Sequence, residues 1–292
     1  MRFGGHETFP VREGWLTKGL RLVEHDPQGL DSSDAADRLG VGRNMIKSIR
    51  YWLLVTGLAS RPKRQKPMEL TCLGKLILKV DPYMVEPASW WALHANLVIA
   101  TDKAVTWTWF FNTFGRDRFD RMTCVDQISR YVSGHEVRPR SRDTLNRDIL
   151  CLLSSYSQPV PPKPEDPEEG RDSPFRELGL VTHYTESDTY VLNRGAKQVP
   201  SAALAYAIAL RYGADDIVPA EIPFAAALAE AGGPGRIFAL DGDALSTLID
   251  TAENVLGGEI GTRMLGGERI VYLKGRRPEA WLADHFAKEF TE

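Results

Sequence analysis

Residues 31–58 read DSSDAADRLGVGRNMIKSIRYWLLVTGL. Asp31 or Ser32 is a candidate N-cap, and acidic residues occupy the first turn of the predicted helix. That helix ends at Gly40, and a longer helix is predicted over Arg43–Thr56. A short helix, a turn bounded by glycines and a longer helix form the helix-turn-helix pattern. The stretch therefore predicts a helix-turn-helix at about residues 31–58.

The longer helix carries its basic residues on one face. Positions i, i+4 and i+7 share a helix face, so Arg43, Lys47 and Arg50 align, with Asn44 beside them. In helix-turn-helix proteins the N-terminal residues of this helix contact base edges in the major groove, and an asparagine amide fits an adenine edge. We therefore expect these four residues to bind DNA. The opposite, core-facing side is predicted to comprise Met45, Ile49, Trp52 and Leu53.

A basic segment follows directly. Residues 60–70 read SRPKRQKPMEL, and from Val41 to Met68 seven residues are basic and none is acidic. The wing of a winged helix would contact phosphates from this position. Four or five phosphate contacts would give a slope of roughly −4 for log K against log salt concentration. The alternative is a solvated basic face on a protein-interaction module. The predicted wing residues are Arg61, Lys63, Arg64 and Lys66.

A second basic cluster lies at residues 138–148, which read RPRSRDTLNRD. Ser141 is a candidate N-cap for the helix that follows. Two interpretations stay open: the arginines contact phosphates, or they pair with Asp143 and Asp148 on a solvated helix. The candidate phosphate ligands are Arg138, Arg140, Arg142 and Arg147.

The two halves of the chain differ in charge. The 292 residues carry a formal net charge of −3, but residues 1–156 hold 23 Lys and Arg against 17 Asp and Glu. Residues 157–292 hold 13 against 22. A stretch rich in Pro, Asp and Glu at 157–174 predicts a linker. We expect a DNA-binding module at 1–156 and a smaller α+β assembly module at 175–292.

Apolar periodicity predicts a fold that is mainly α with small β-hairpins. The segment TWTWFFNTF at residues 106–114 is dense in aromatics and is interpreted as core or interface. Alternation predicts a hairpin at Leu178–Leu192 and a strand at Gly267–Leu273. Helices are predicted at Val11–Glu24, Pro87–Ala100, Met122–Ser133, Ser141–Tyr156, Pro200–Tyr212, Asp241–Leu256 and Pro278–Glu289.

Composition excludes several classes of protein. No run approaches 18 uncharged apolar residues, and the N-terminus has no apolar signal region, so a cytoplasmic protein without a membrane span is expected. No zinc spacing and no phosphate-binding glycine loop is present, so neither zinc nor a nucleotide is expected. Three scattered cysteines fit buried thiols in a reducing compartment: Cys72, Cys124 and Cys151.

Residues 3–20 read FGGHETFPVREGWLTKGL, and this string resembles the N-terminal signature of the DUF4007 family. Later segments are similar to that family as well, at residues 70–97, 106–114 and 141–156. One departure is Met84-Val85, where the family pattern has an acidic residue before the Glu-Pro pair. The resemblance covers most of the chain.

The family is similar to the B component of the Ssp DNA phosphorothioation system. The resemblance implies a nickase that opens one strand of double-stranded DNA, so that sulfur replaces a non-bridging phosphate oxygen in defence against phage. It also implies three partners: a cysteine desulfurase, an ATPase and an ATP-pyrophosphatase-like enzyme. We further expect a homodimer. A recruiting adaptor without catalysis and a winged-helix repressor are the alternatives.

Nicking requires an activated nucleophile and stabilisation of charge on the phosphate. Nucleases commonly hold Mg²⁺ or Mn²⁺ with carboxylates, and one of these ions is the expected cofactor. In the N-terminal motif, His6 and Glu7 are the candidate base and metal ligand, and Arg12 and Lys18 the candidate phosphate ligands. The alternative is that these side chains only lock or cap the first helix.

Overall fold

A computed structural model describes residues 3–63, 66–100, 102–135, 140–161, 173–213 and 219–289. Within these ranges, helices dominate and short strands form three small sheets. The predicted α+β class is confirmed.

The N-terminal elements follow the order predicted for the helix-turn-helix. Helix α1 packs against α3 and α4, and the two strands pair antiparallel directly after α3. Their interpretation as a winged helix stays a prediction. The bounds are α1 (Trp15–His25), α2 (Ala35–Leu39), α3 (Arg43–Val55), β1 (Ala59–Ser60), β2 (Glu69–Leu70) and α4 (Cys72–Val80).

Helix α2 begins at Ala35, so the predicted N-cap at Asp31 or Ser32 was wrong. A 3-10 turn precedes the helix, and the Ser32 hydroxyl donates back to the first carbonyl of that turn at 2.7 Å. The Asp31 carboxylate accepts hydrogen bonds from Arg50 and Arg61 instead of capping the helix. The partners of Asp31 therefore come from α3 and from the segment after β1.

The central helices form an aromatic core. Helix α5 is buried on nearly all sides, and the aromatic residues of α6 are buried as predicted for residues 106–114. The Trp107 ring meets that of Trp52 on α3 edge-to-face, with centroids 5.4 Å apart. This contact joins the central helices to the N-terminal elements. The bounds are α5 (Pro87–Ile99), α6 (Val105–Asn112), α7 (Arg121–His135) and α8 (Arg142–Tyr156).

A four-stranded mixed sheet has the order β3-β6-β5-β4. The hairpin of β5 and β6 confirms the one predicted at residues 178–192. Strand β4 pairs parallel with β5 and occupies the start of the predicted linker, so that part of the linker was wrong. Residues 162–172 of the linker lie outside the described residues. The strands are β3 (Arg118–Phe119), β4 (Ser157–Val160), β5 (Val181–Tyr184) and β6 (Thr189–Leu192).

The remaining elements pack onto the first half of the chain. Helix α9 lies against α5, and α13 lies against α4. An antiparallel sheet has the order β7-β9-β8, and the division of the chain into two modules stays a prediction. The bounds are α9 (Ser201–Tyr212), β7 (Ala220–Pro223), α10 (Phe224–Ala229), α11 (Pro234–Ile237), α12 (Gly242–Val255), β8 (Ile260–Leu265), β9 (Glu268–Leu273) and α13 (Pro278–Glu289).

His94 of α5 lies at the centre of this packing. Its Nδ1 is 2.8 Å from the hydroxyl oxygen of Tyr156, and its Nε2 is 2.7 Å from the carbonyl oxygen of Ile237. Burial lowers the pKa of His94 to about 4, although the hydrogen bond to Ile237 acts in the opposite direction. A neutral imidazole therefore joins α5, α8 and α11.

The fold bears on two expectations, one about membrane-spanning helices and one about the burial of the cysteines. None of the described helices has the length and apolar character needed to cross a bilayer. Cys124 and Cys151 are buried thiols as expected, and burial raises the pKa of both. Cys72 is exposed at the start of α4, so the expectation of burial was wrong for this residue.

Candidate nucleic-acid interface

The N-terminal loop is fixed from inside the protein by His6, which is completely buried. The Thr8 amide donates to its Nδ1 at 3.0 Å, and its Nε2 lies 3.0 Å from Oδ1 of Asp148. Because Nδ1 accepts, Nε2 carries the proton and donates to Asp148. Both ring nitrogens are therefore occupied. Two aromatic rings enclose the imidazole edge-to-face, those of Tyr51 and Trp107.

Asp148 on α8 holds the N-terminal loop, a role that was not predicted from the sequence. Its Oδ1 also accepts from the Gly4 amide at 2.9 Å, and its Oδ2 accepts from the Thr106 hydroxyl at 3.0 Å. The alternative in which Asp148 pairs with an arginine on a solvated helix is wrong for this residue, because Asp148 is 2% exposed and its carboxylate binds groups inside the core. One sequence signal could have predicted its burial: Asp148 lies one position before Ile149, within the apolar stripe of α8.

The loop next turns sharply through two left-handed residues. Glu7 and Thr8 have φ angles of 50° and 69°, a region that residues other than glycine rarely adopt. Backbone hydrogen bonds close the turn on either side, and the buried His6 holds it in place. The turn directs Glu7 toward α3, where its Oε1 lies 3.7 Å from Nζ of Lys47. The loop therefore brings a carboxylate to the predicted DNA-binding helix.

Arg43, Asn44 and Lys47 are exposed on α3, and we call these three residues the α3 face. Nζ of Lys47 donates to Oδ1 of Asn44 at 3.2 Å, which aligns the two side chains. Behind the α3 face the helix is anchored in the core by Ile46, Ile49, Trp52 and Leu53.

Arg50 differs from the α3 face although it shares the helix. Its guanidinium is bound to Asp31, and Nη2 of Arg61 binds the other oxygen of the same carboxylate at 2.5 Å. Arg61 is only 15% exposed. One aspartate therefore holds both arginines, and the expected DNA contacts of Arg50 and Arg61 stay a prediction.

The basic segment between β1 and β2 keeps two described lysines exposed, Lys63 and Lys66. Arg64, predicted to belong to the same wing, lies outside the described residues. The ion pairs of Asp31 tie the base of this segment to α3 through Arg61 and Arg50. Lys63 and Lys66 therefore belong to a segment whose first residues are held against α3.

The second basic cluster meets the N-terminal loop rather than the wing. The guanidinium carbon of Arg140 lies 5.8 Å from the centre of the Phe3 ring, and the next residue, Gly4, binds Asp148. Arg142 is exposed but paired with Asp126 at 2.5 Å. Arg147 pairs with Asp143, as the solvated-helix alternative predicted. Arg138 lies outside the described residues.

The four predicted catalytic residues have separate partners. His6 binds Asp148, whereas Glu7 approaches Lys47. The Arg12 guanidinium lies over two aromatic rings, 5.5 Å from the nearer centroid, and Lys18 donates to a main-chain carbonyl at 3.4 Å. These contacts do not join the four side chains into one site. Their role in chemistry stays a prediction.

The same surface was expected to supply carboxylate ligands for a metal ion. In the described parts of the chain, no three His, Cys, Asp or Glu side chains are grouped so that they would hold a metal. Glu7 has a lysine as its charged neighbour. The expected Mg²⁺ or Mn²⁺ cofactor therefore stays a prediction.

Fold and surface together define an α+β protein in which the N-terminal loop contacts Lys47 on α3 and Arg140 just before α8. A family model described as "protein of unknown function (DUF4007)" matches residues 3–286, and the chain belongs to this family. None of the curated proteins matches the chain.

Two solved structures are similar to this protein over nearly its whole length. One is a crystal structure of magnesium-bound SspB, with a TM-score of 0.84, and the other is a crystal structure of SspB, with a TM-score of 0.82. Each is 26% identical in sequence and covers 98% of this chain and 87% of the other. The expected similarity to the B component of the Ssp system is confirmed.

Proposed function

We propose that this protein is the DNA-binding component of a DNA phosphorothioation system and that it nicks one strand of its target. Nicking hydrolyses one phosphodiester bond: water attacks phosphorus, one P–O bond breaks, and the released sugar oxygen takes up a proton. Sulfur transfer by a cysteine desulfurase, an ATPase and an ATP-pyrophosphatase-like enzyme follows. The similarity to SspB over 98% of the chain supports this assignment.

The observation that carries DNA binding is the exposed α3 face. Its basic side chains lie at the N-terminal end of the helix, which enters the major groove in helix-turn-helix proteins. Lys63 and Lys66 extend this surface on one side. Arg140 extends it on the other, because the N-terminal loop contacts both Arg140 and Lys47. Duplex DNA across this surface would meet phosphate ligands from three segments of the chain.

Relaxation of supercoiled plasmid in Mg²⁺ or Mn²⁺ tests both parts of the proposal. The wild type should produce open-circular DNA, and Lys63→Ala/Lys66→Ala should slow its formation about tenfold through weaker phosphate binding. The matched control is Lys103→Ala/Lys288→Ala, which removes two exposed lysines outside this surface. Equal rates for the two double variants would contradict a role of Lys63 and Lys66. Absence of any plasmid binding would contradict the DNA-binding assignment itself.

A recruiting adaptor is the second candidate, because His6 is buried and both its nitrogens are bound. An adaptor binds the target and delivers it to the sulfur-transfer enzymes without cutting. In the plasmid assay it would retard the DNA at every metal concentration while the supercoiled form persists. Capture of the three partner enzymes by the DNA-bound protein would complete the case.

A further inference from the structure

Glu7 is an acidic residue beside the basic side chains of the α3 face. Its side chain is 34% exposed, and its carboxylate lies 3.7 Å from Nζ of Lys47, which also contacts Asn44. An acidic group beside phosphate ligands weakens general attraction to DNA. The chain nevertheless places it there through consecutive left-handed residues, Glu7 and Thr8, that the buried pair of His6 and Asp148 holds. Such a position indicates a specific contact.

We infer that Glu7 reads a base: with α3 in the major groove, its carboxylate accepts a hydrogen bond from the exocyclic amino group of a cytosine. The inference rests on the proposed DNA binding by α3 and names a determinant of its sequence preference. Lys47 offsets the negative charge of Glu7 next to the phosphates. Asn44, on the same helix, is the neighbouring candidate for a base contact.

The chemistry of the base edges selects cytosine. In the major groove, guanine presents two acceptors and thymine an acceptor and a methyl group, so both repel a carboxylate. Adenine presents a donor beside the N7 acceptor, whereas cytosine presents its N4 amino donor alone. A carboxylate accepts hydrogen bonds and donates none. Glu7 therefore has its best match in cytosine.

Selection from a library of duplexes with a randomised core tests the inference. We expect the wild type to enrich one cytosine position about tenfold over the other bases, the discrimination typical of a specific base contact. Glu7→Gln should move the preference at that position toward adenine, since an amide both donates and accepts. Glu7→Ala should abolish preference at that position alone. Glu268→Gln, an exposed change on β9, is the matched control and should keep the wild-type motif.

The outcomes separate this inference from the proposed function. If the wild type retains no duplex, DNA binding fails and the inference fails with it. If the wild type binds without base preference, or if Glu7→Gln selects the wild-type motif, only the inference is overturned. Urea unfolding of each variant guards against misfolding. Should Glu7→Ala fail to fold, Glu7→Gln, which preserves side-chain size, decides alone.

Discussion

The imidazole of His6 donates from Nε2 to Oδ1 of Asp148 over 3.0 Å, and the two residues are 142 positions apart in the chain. The same carboxylate binds the Gly4 amide and the Thr106 hydroxyl. The conformation of the N-terminal loop is therefore set by α8 and α6, not by the loop sequence alone. This dependence makes Asp148 a positioning residue for the N-terminal loop.

Asp148→Asn should lower the free energy of unfolding by about 2–4 kcal/mol. The asparagine amide turns a donor toward at least one of the three donors, two of which are buried. A buried unpaired donor costs roughly 1–3 kcal/mol, more where a charged acceptor is lost. Urea unfolding measures the effect. Asp143→Asn on the same helix removes only an exposed ion pair with Arg147, so its cost should stay within about 0.5 kcal/mol. Equal costs for the two variants would contradict the buried network.

The salt dependence of DNA binding should distinguish the exposed lysines from the paired arginines. Lys63→Ala/Lys66→Ala removes two phosphate ligands, so the slope of log K against log salt should become shallower by roughly 1.8. Arg50→Ala/Arg61→Ala should leave the slope nearly unchanged, because Asp31 already holds both guanidinium groups. Fluorescence anisotropy with a labelled duplex gives both slopes. A larger change for the arginine pair would show that Asp31 releases them to the DNA.

The buried histidine should make stability fall in acid. Unfolded His94 has the ordinary pKa of 6.5, whereas its folded pKa is about 4, so between these values the unfolded chain binds more protons. The contribution of His94 to the free energy of unfolding is complete above pH 6.5 and is lost as the pH falls toward 4. The total loss is about 3 kcal/mol. Urea unfolding at pH 4.5 and 7 measures the difference.

His94→Gln should reduce that pH dependence, because the titrating group is gone. His25→Gln, at an exposed position on α1, serves as the control and should keep the wild-type dependence. Identical pH profiles for wild type and His94→Gln would show that other groups cause the acid sensitivity.

Gly74→Ala should be strongly destabilising. A Cβ at Gly74 would lie 2.0 Å from the carbonyl oxygen of Leu58, which is backbone and also accepts from Thr71. Helix α4 would have to move away from the start of β1, at a cost of about 3 kcal/mol in thermal or urea unfolding. Gly134→Ala on α7 meets nothing within 4 Å and should instead stabilise the protein by roughly 0.5–1 kcal/mol. Similar effects at both positions would contradict the close approach.

The sequence predicted those helices and strands whose pattern of apolar residues can be recognised within the segment itself. Helix α3 begins at the predicted Arg43, and the hairpin of β5 and β6 lies where alternation placed it. Strands β3 and β4 were not predicted, since each is short and is defined by its partner strand. The burial of Asp148 was not predicted for a similar reason, because its three donors come from segments distant in sequence.

The mixed sheet also bears on how the protein is made. Strand β3 pairs with β6, and α5 packs on α9, so parts of the first 156 residues lack their cover until residue 212 leaves the ribosome. At about 5–20 residues per second, synthesis of residues 157–212 alone takes roughly 3–11 s. During that time apolar helices and an unpaired strand edge are exposed to other nascent chains. Slower translation of residues 157–212 would lengthen that exposure and favour aggregation during synthesis.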